Sequence, residues 1–177
     1  MLVDFQMLIY ALMWLAAWRI VPGERRAAGW WMGFSLCLWA GLYAMGLRPQ
    51  GPLWLTSTFA NSSACIGFIM MWRGVGAFLG LRQRNAEHAG LIVLIVGGLA
   101  LADDVSSAAG LYQRGVLIPV ALAWIFLRIS AEILRPLRLE FSARVAWLAV
   151  VPLTVYGLLN LQPEPAGVLA TLLPAAG

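Results

Sequence analysis

The sequence predicts an all-α fold, a polytopic transmembrane helix bundle of about six spans plus a partial seventh. Three observations predict it. Hydrophobic residues make up 62% of the chain and charged residues only 11%, where a soluble domain carries about 25% charged. Mean hydropathy is +0.82. Apolar stretches of roughly 20 residues, the length that crosses a ~30 Å hydrocarbon core as a helix, recur along the chain between short segments rich in Arg, Pro and Gly. A chain of 177 residues organised this way forms one bundle over 1–177, without a soluble domain of ordinary size.

The first span covers about 2–20. It has Asp4 where a secretory signal would carry positive charge, and it lacks a small-residue cleavage site, so a retained helix is expected. Arg19, then Val-Pro-Gly-Glu-Arg25-Arg26, closes it with helix breakers and cations. The second span, about 29–47, opens on Trp30 and Trp31 as an interfacial anchor and ends in the turn Arg48-Pro-Gln-Gly-Pro52.

The third span, about 54–73, organises the rest. Its first half is crowded with Thr56, Ser57, Thr58, Asn61, Ser62 and Ser63, which hydrocarbon solvates poorly. Ala60, Ser63, Ala64 and Gly67 fall four apart in pairs, so another helix backbone can approach closely and the Asn61 amide is expected to bond across the contact. Trp54 and Trp72 are expected near opposite interfaces. This is the expected central helix.

The fourth span covers about 89–108 and meets Asp103 and Asp104 near its outer end. Three readings stand for these carboxylates: hydrated interfacial charges, structural pairs with Arg48 and Arg114, or a ligand or cation site built from Asp103, Asp104, Arg114 and Arg48. The fifth span, about 116–134, places Arg128 and Glu132 four apart on one face, where they can satisfy each other or tie this helix to Arg73 of the third. With Asn61, these three form the expected set of intramembrane coupling residues. After a loop holding Arg135, Arg138, Glu140 and Arg144, the sixth span runs over about 146–161. The apolar tail 166–177 is too short to cross; it reads as the start of a seventh span or as an interfacial cap.

The arginines orient the bundle. All twelve basic residues are Arg, and ten of them, at 19, 25, 26, 73, 82, 84, 128, 135, 138 and 144, fall on one side, leaving Arg48 and Arg114 on the other. By the positive-inside rule the N-terminus is outside. The net charge of +4 comes from these flanking residues and not from a continuous basic tract, so no nucleic-acid partner is expected.

Chemistry-bearing motifs are absent from the sequence. It holds no GxSxG elbow, Walker loop or HExxH pair, so no enzyme is expected in this chain. Cys37 and Cys65 sit in apolar spans without a CxxC or histidine companion and read as inert thiols, and the single histidine, His88, reads as a solvated loop residue. No metal site and no cofactor are expected.

The order of a short first span, an Arg-bearing turn, a Gly-Trp-Trp opening and then LRPQGPLWLTSTFANSSACIGFIMMWRGVGAFLG resembles the membrane-integral N-terminal region of bacterial GGDEF diguanylate cyclases. The matching features are the outer turn, the mid-helix Asn61 and the exit Gly76-Ala-Phe-Leu-Gly80. The resemblance implies a sensory or signal-input module of the bacterial inner membrane for a cyclic-di-GMP-type output domain that is not in this chain. Two departures stand against a full match: the tail 166–177 is shorter than a seventh span, and the sequence holds nothing that resembles the GGDEF catalytic domain. The expected partners are the lipid bilayer and either a second copy of the chain or a cytoplasmic output domain. The alternatives are a small transporter or channel subunit, or a non-sensing anchor or assembly protein.

Overall fold

Helix α1, Leu2–Ile20, ends where Val21 precedes Pro22, because the proline ring disfavours helical backbone at the residue before it. A single 3-10 turn, Pro22–Glu24, then bends the chain by 118° into α2, Arg25–Gly46. Arg25 and Arg26 thus belong to the first turn of α2, four residues before the expected start of that span. This is the computed structural model of the chain, and it describes residues 2–48, 50–102 and 108–161.

After the turn at Pro52, a π-helical stretch, Trp54–Phe59, leads directly into α3, Ala60–Phe78. Helix α3 ends by a specific device. Gly80 takes φ +66°, its N–H donates to Ala77 O, and Leu81 N–H donates to Gly76 O at 2.7 Å. This left-handed glycine closure satisfies two terminal carbonyls and turns the chain towards α4, Asn85–Leu101. Helix α4 stops at Leu101, short of the expected 108, and Asp103 and Asp104 lie outside the described residues.

Helix α5, Ala108–Glu140, is longer than expected at both ends, with Pro119 and Pro136 inside it. The basic segment 135–140, expected as loop, is its last turns. Only Phe141 and Ser142 separate it from α6, Ala143–Leu159, which Ser142 caps by accepting from Val145 N–H. The tail 166–177 lies outside the described residues.

All described regular structure is helical, and α3 is its hub, packing on α2, α4 and α5 while α6 packs on α5 and α1 on α2. The core runs along α3 through Cys65, Ile69 and Trp72, meeting Ile95 and Leu99 of α4, Ile125, Ile129 and Ile133 of α5 and Val150 of α6. Small residues let α2 and α3 touch backbone to backbone. A Cβ on Gly41 would lie 2.8 Å from Ala60 O, and one on Gly67 3.2 Å from Cys37 Cβ. Ser63 Oγ donates to Cys37 O at 2.8 Å across this contact. Asn61 behaves otherwise than expected: its amide donates to Ser57 O, one turn back on its own helix. That carbonyl lies within reach of any asparagine at i+4, so the amide bonds locally.

The outward faces are strongly apolar. Leu101, Leu139, Leu148 and Val93 are each more than 70% exposed. Among the described residues one helical stretch, Gly115–Glu140, has the length and apolarity to cross a membrane alone. The bent pair Phe5–Ile20 and Pro22–Gly46 passes only when taken together.

Candidate functional site

At the end of the bundle where α3 leaves and α4 enters, charged and aromatic side chains from three helices converge. The Gly80 turn sets Gln83 and Arg84 beside the first turn of α4, which carries Glu87 and His88. Helix α5 brings Arg128 and Glu132, and α3 brings Trp72 and Arg73.

Glu132 is the centre. Its Oε1 accepts from Arg84 Nε at 2.7 Å and from Arg128 Nη2 at 3.3 Å, and its Oε2 accepts from Trp72 Nε1 at 2.7 Å. Arg128 also donates two nearly parallel bonds to Glu87, at 2.9 and 3.2 Å. Arg84 reaches Glu87 at 3.7 Å. Two guanidiniums therefore balance two carboxylates. The bidentate pair and the three bonds on Glu132 are charge-assisted, the stronger class of hydrogen bond. Arg128 and Glu132 do face each other, as their spacing requires, but each also holds partners on other elements.

A second layer lies behind this one. Trp72, expected at an interface, is 2% exposed; Arg128 lies over its ring, and His88 stands against it at 77° with ring centroids 4.4 Å apart. His88 is 3% exposed, not the solvated loop residue that a polar neighbourhood implies, because the first turn of α4 rotates it towards α3. Arg73 donates to His88 Nδ1 at 3.2 Å and stacks over Trp30 of α2 at 4.2 Å. Gln83 Nε2 donates to Arg73 O.

An arginine only donates, so His88 Nδ1 accepts and the ring proton sits on Nε2. That nitrogen is buried without a hydrogen-bonding partner among the described residues. Burial first, and the adjacent Arg73 charge second, push the histidine below its usual pKa, so it is neutral at neutral pH. Glu87 is held below the usual carboxylate range, chiefly by its hydrogen bonds from Arg128.

The network borders an open pocket of about 670 Å³ lined by Arg82, Gln83, Arg84, Asn85, Glu87 and Glu132 among others. Its groups can hold helices in register and respond to charge. No nucleophile sits beside a base in the network, and no cluster of metal-ligating residues occurs among the described residues.

Of the expected outer site, Arg48 alone has a described side chain. Arg48 donates to Thr56 O at 3.4 Å, across the turn into the π-helical stretch. Asp103 and Asp104 lie outside the described residues, as does the side chain of Arg114. Of the expected coupling residues, Arg128 and Glu132 pair and reach α3 through Trp72 instead of Arg73. Arg73 lies behind them against His88 and Trp30, and Asn61 stands apart on α3. Sequence reading missed Arg84, Glu87, Trp72 and His88. The available signal was Glu87 three residues after Arg84, a short-range ion pair at the start of a helix.

Comparison with family models, with curated proteins and with solved structures finds no match to this chain.

Proposed function

We propose that the chain is a membrane-embedded signal-input module: a six-span bundle of the bacterial inner membrane, N-terminus outside, that passes a helix displacement to a cytoplasmic output partner of the cyclic-di-GMP type. The observation that carries this reading is the network centred on Glu132. It joins α3, the α3–α4 turn, α4 and α5 at the arginine-rich end, which the positive-inside rule places in the cytoplasm. A movement of α3 or α4 therefore loads directly onto α5, which continues beyond the network to Glu140.

The apolar outward faces support the membrane part of the reading. Helices α2 and α3 lose hydropathy to Trp, Gly, Ser, Asn61 and Arg73. Such residues are common at interfaces between membrane helices and at membrane surfaces. Helices α4 and α6, 17 residues each, are largely apolar beyond first turns that carry Asn85, Glu87 and His88 in α4 and Arg144 in α6.

The test places the chain ahead of a synthetic seventh span and a diguanylate cyclase catalytic domain, and measures cyclic-di-GMP in cells. Glu132→Gln and Arg128→Met should change output at least about fivefold at equal protein level, while the lipid-facing Val93→Ala leaves it unchanged. Equal output from all four proteins contradicts the sensor reading. Substrate flux in liposomes would favour a transporter.

A further inference from the structure

A second concavity, about 720 Å³, lies away from the charged network, between α2, the π-helical stretch, α3 and α4. Its walls include Leu36 and Ala40 of α2, Phe59 and Ile66, and Val96 and Ala100 of α4, with Trp54 at one end. None of the lining side chains is charged. By the arginine asymmetry Trp54 marks the outer interface, so the groove occupies the outer half of the bundle and faces hydrocarbon sideways.

Ser62 distinguishes this groove from an ordinary lipid-facing furrow. Elsewhere in the chain Ser35, Thr56, Ser130 and Thr154 each donate to the carbonyl four residues back, and Ser63 donates across to α2. Ser62 lines the groove, is 7% exposed, and its Oγ has no hydrogen-bonding partner among the described residues. A buried hydroxyl without a partner is costly in an apolar medium, and a serine hydroxyl turns among three staggered wells. The wall beside it is π-helical, a form that occurs mostly as single turns and frequently at functional sites.

From the groove's apolar walls and the unpartnered Ser62 hydroxyl we infer that it binds a neutral, long-chain lipophile of the outer leaflet whose single oxygen group pairs with Ser62. The volume suits a single-chain molecule, within the roughly 300–1,000 Å³ of small-molecule sites. The uncharged lining selects against phosphate and carboxylate headgroups, whose desolvation it could not offset. The inference rests on the membrane orientation proposed above and supplies the class of signal that the module would detect.

The experiment uses the full chain in phosphatidylcholine nanodiscs with a long-chain alkyl alcohol carrying a photoreactive diazirine, the adducts being mapped by peptide mass spectrometry. Labelling should saturate and concentrate on α2 around Ala40, on Trp54–Ile66 and on α4 around Val96. An unlabelled alcohol should compete, and an alkane of equal length should not. Ser62→Ala should weaken half-saturation about threefold to tenfold, the worth of one neutral hydrogen bond. Ala100→Phe, on the exposed rim, should abolish saturable labelling without lowering the melting temperature; Val96→Phe is a second plug on the same rim.

Labelling that never saturates and spreads over α4 and α6 would overturn the inference, as would equal competition by the alkane. Binding is read here without any output domain. Saturable binding without ligand-dependent cyclic-di-GMP would sink the sensor reading alone, and unsaturable labelling of a responsive sensor would sink the groove alone.

Discussion

Trp72 Nε1 donates to Glu132 Oε2 at 2.7 Å, joining a buried side chain of α3 to the last third of α5 across sixty positions of sequence. The bond lets a tryptophan with a polar edge sit in the core, because its only donor is satisfied there. It also fixes one oxygen of a carboxylate whose other oxygen holds two arginines.

Removing the Glu132 charge should therefore cost more than removing a surface charge. Glu132→Gln is expected to destabilise the folded protein in detergent by about 1.5–3 kcal/mol, the range for hydrogen bonds to charged groups. Trp72→Phe removes the donor from the other side, and the double variant should be less destabilised than the sum of the two, with a coupling of about 0.5–3 kcal/mol. Chemical denaturation of the four proteins measures this.

The network should also respond to pH. His88 binds its proton less readily in the folded chain than in the unfolded one, so between its folded value and its usual 6.5 the unfolded state carries more protons. Its stability contribution is complete above pH about 6.5 and is lost as pH falls from there through the folded value. Glu87, also held low, keeps its contribution above its usual 4.5 and loses it as pH falls through its own folded value, a separate and more acidic step. In melting curves recorded from pH about 7.5 to 4, His88→Gln should flatten the upper slope and leave the lower one. An unchanged upper slope would remove His88 from the account.

Packing of α2 on α3 gives a third expectation. Gly41→Leu drives a side chain into the Ala60 carbonyl, and Ala60→Leu enlarges a fully buried contact, so each should cost at least about 1–3 kcal/mol. Asn61→Leu should cost less than either, because among the described residues the amide bonds within its own helix. Thermal stability in detergent orders the three; a larger loss at Asn61 would mean that its amide holds a neighbouring helix.

How far the sequence reveals these features depends on the range of the forces involved. The α1 boundary at Ile20 and the small-residue face of α3 were legible, since a proline stop and four-residue spacing are local signals. Arg128 and Glu132 were legible as a pair for the same reason. Their links to Glu87 and Trp72 span 41 and 60 positions, and no periodicity encodes them. His88 was misread because hydropathy weighs a residue by its neighbours, Arg84 and Glu87, while its burial follows from which way the first turn of α4 faces. The length of α5 was hidden by Arg135, Arg138 and Glu140, which resemble loop residues but here lie in helical turns beyond the core.

Sidedness is the claim on which the rest depends, and accessibility of single cysteines tests it most directly. In a background with Cys37→Ala and Cys65→Ala, introduced Gln50→Cys and Arg82→Cys both lie on exposed turns, and Arg82 is chosen because, unlike Arg84, it holds no ion pair in the network. An impermeant maleimide added to intact cells should label the cysteine at position 50 and spare the one at 82 until the membrane is permeabilised. Labelling of position 82 with protection of position 50, or labelling of both in intact cells, would contradict the proposed sidedness and the cytoplasmic placing of the charged network.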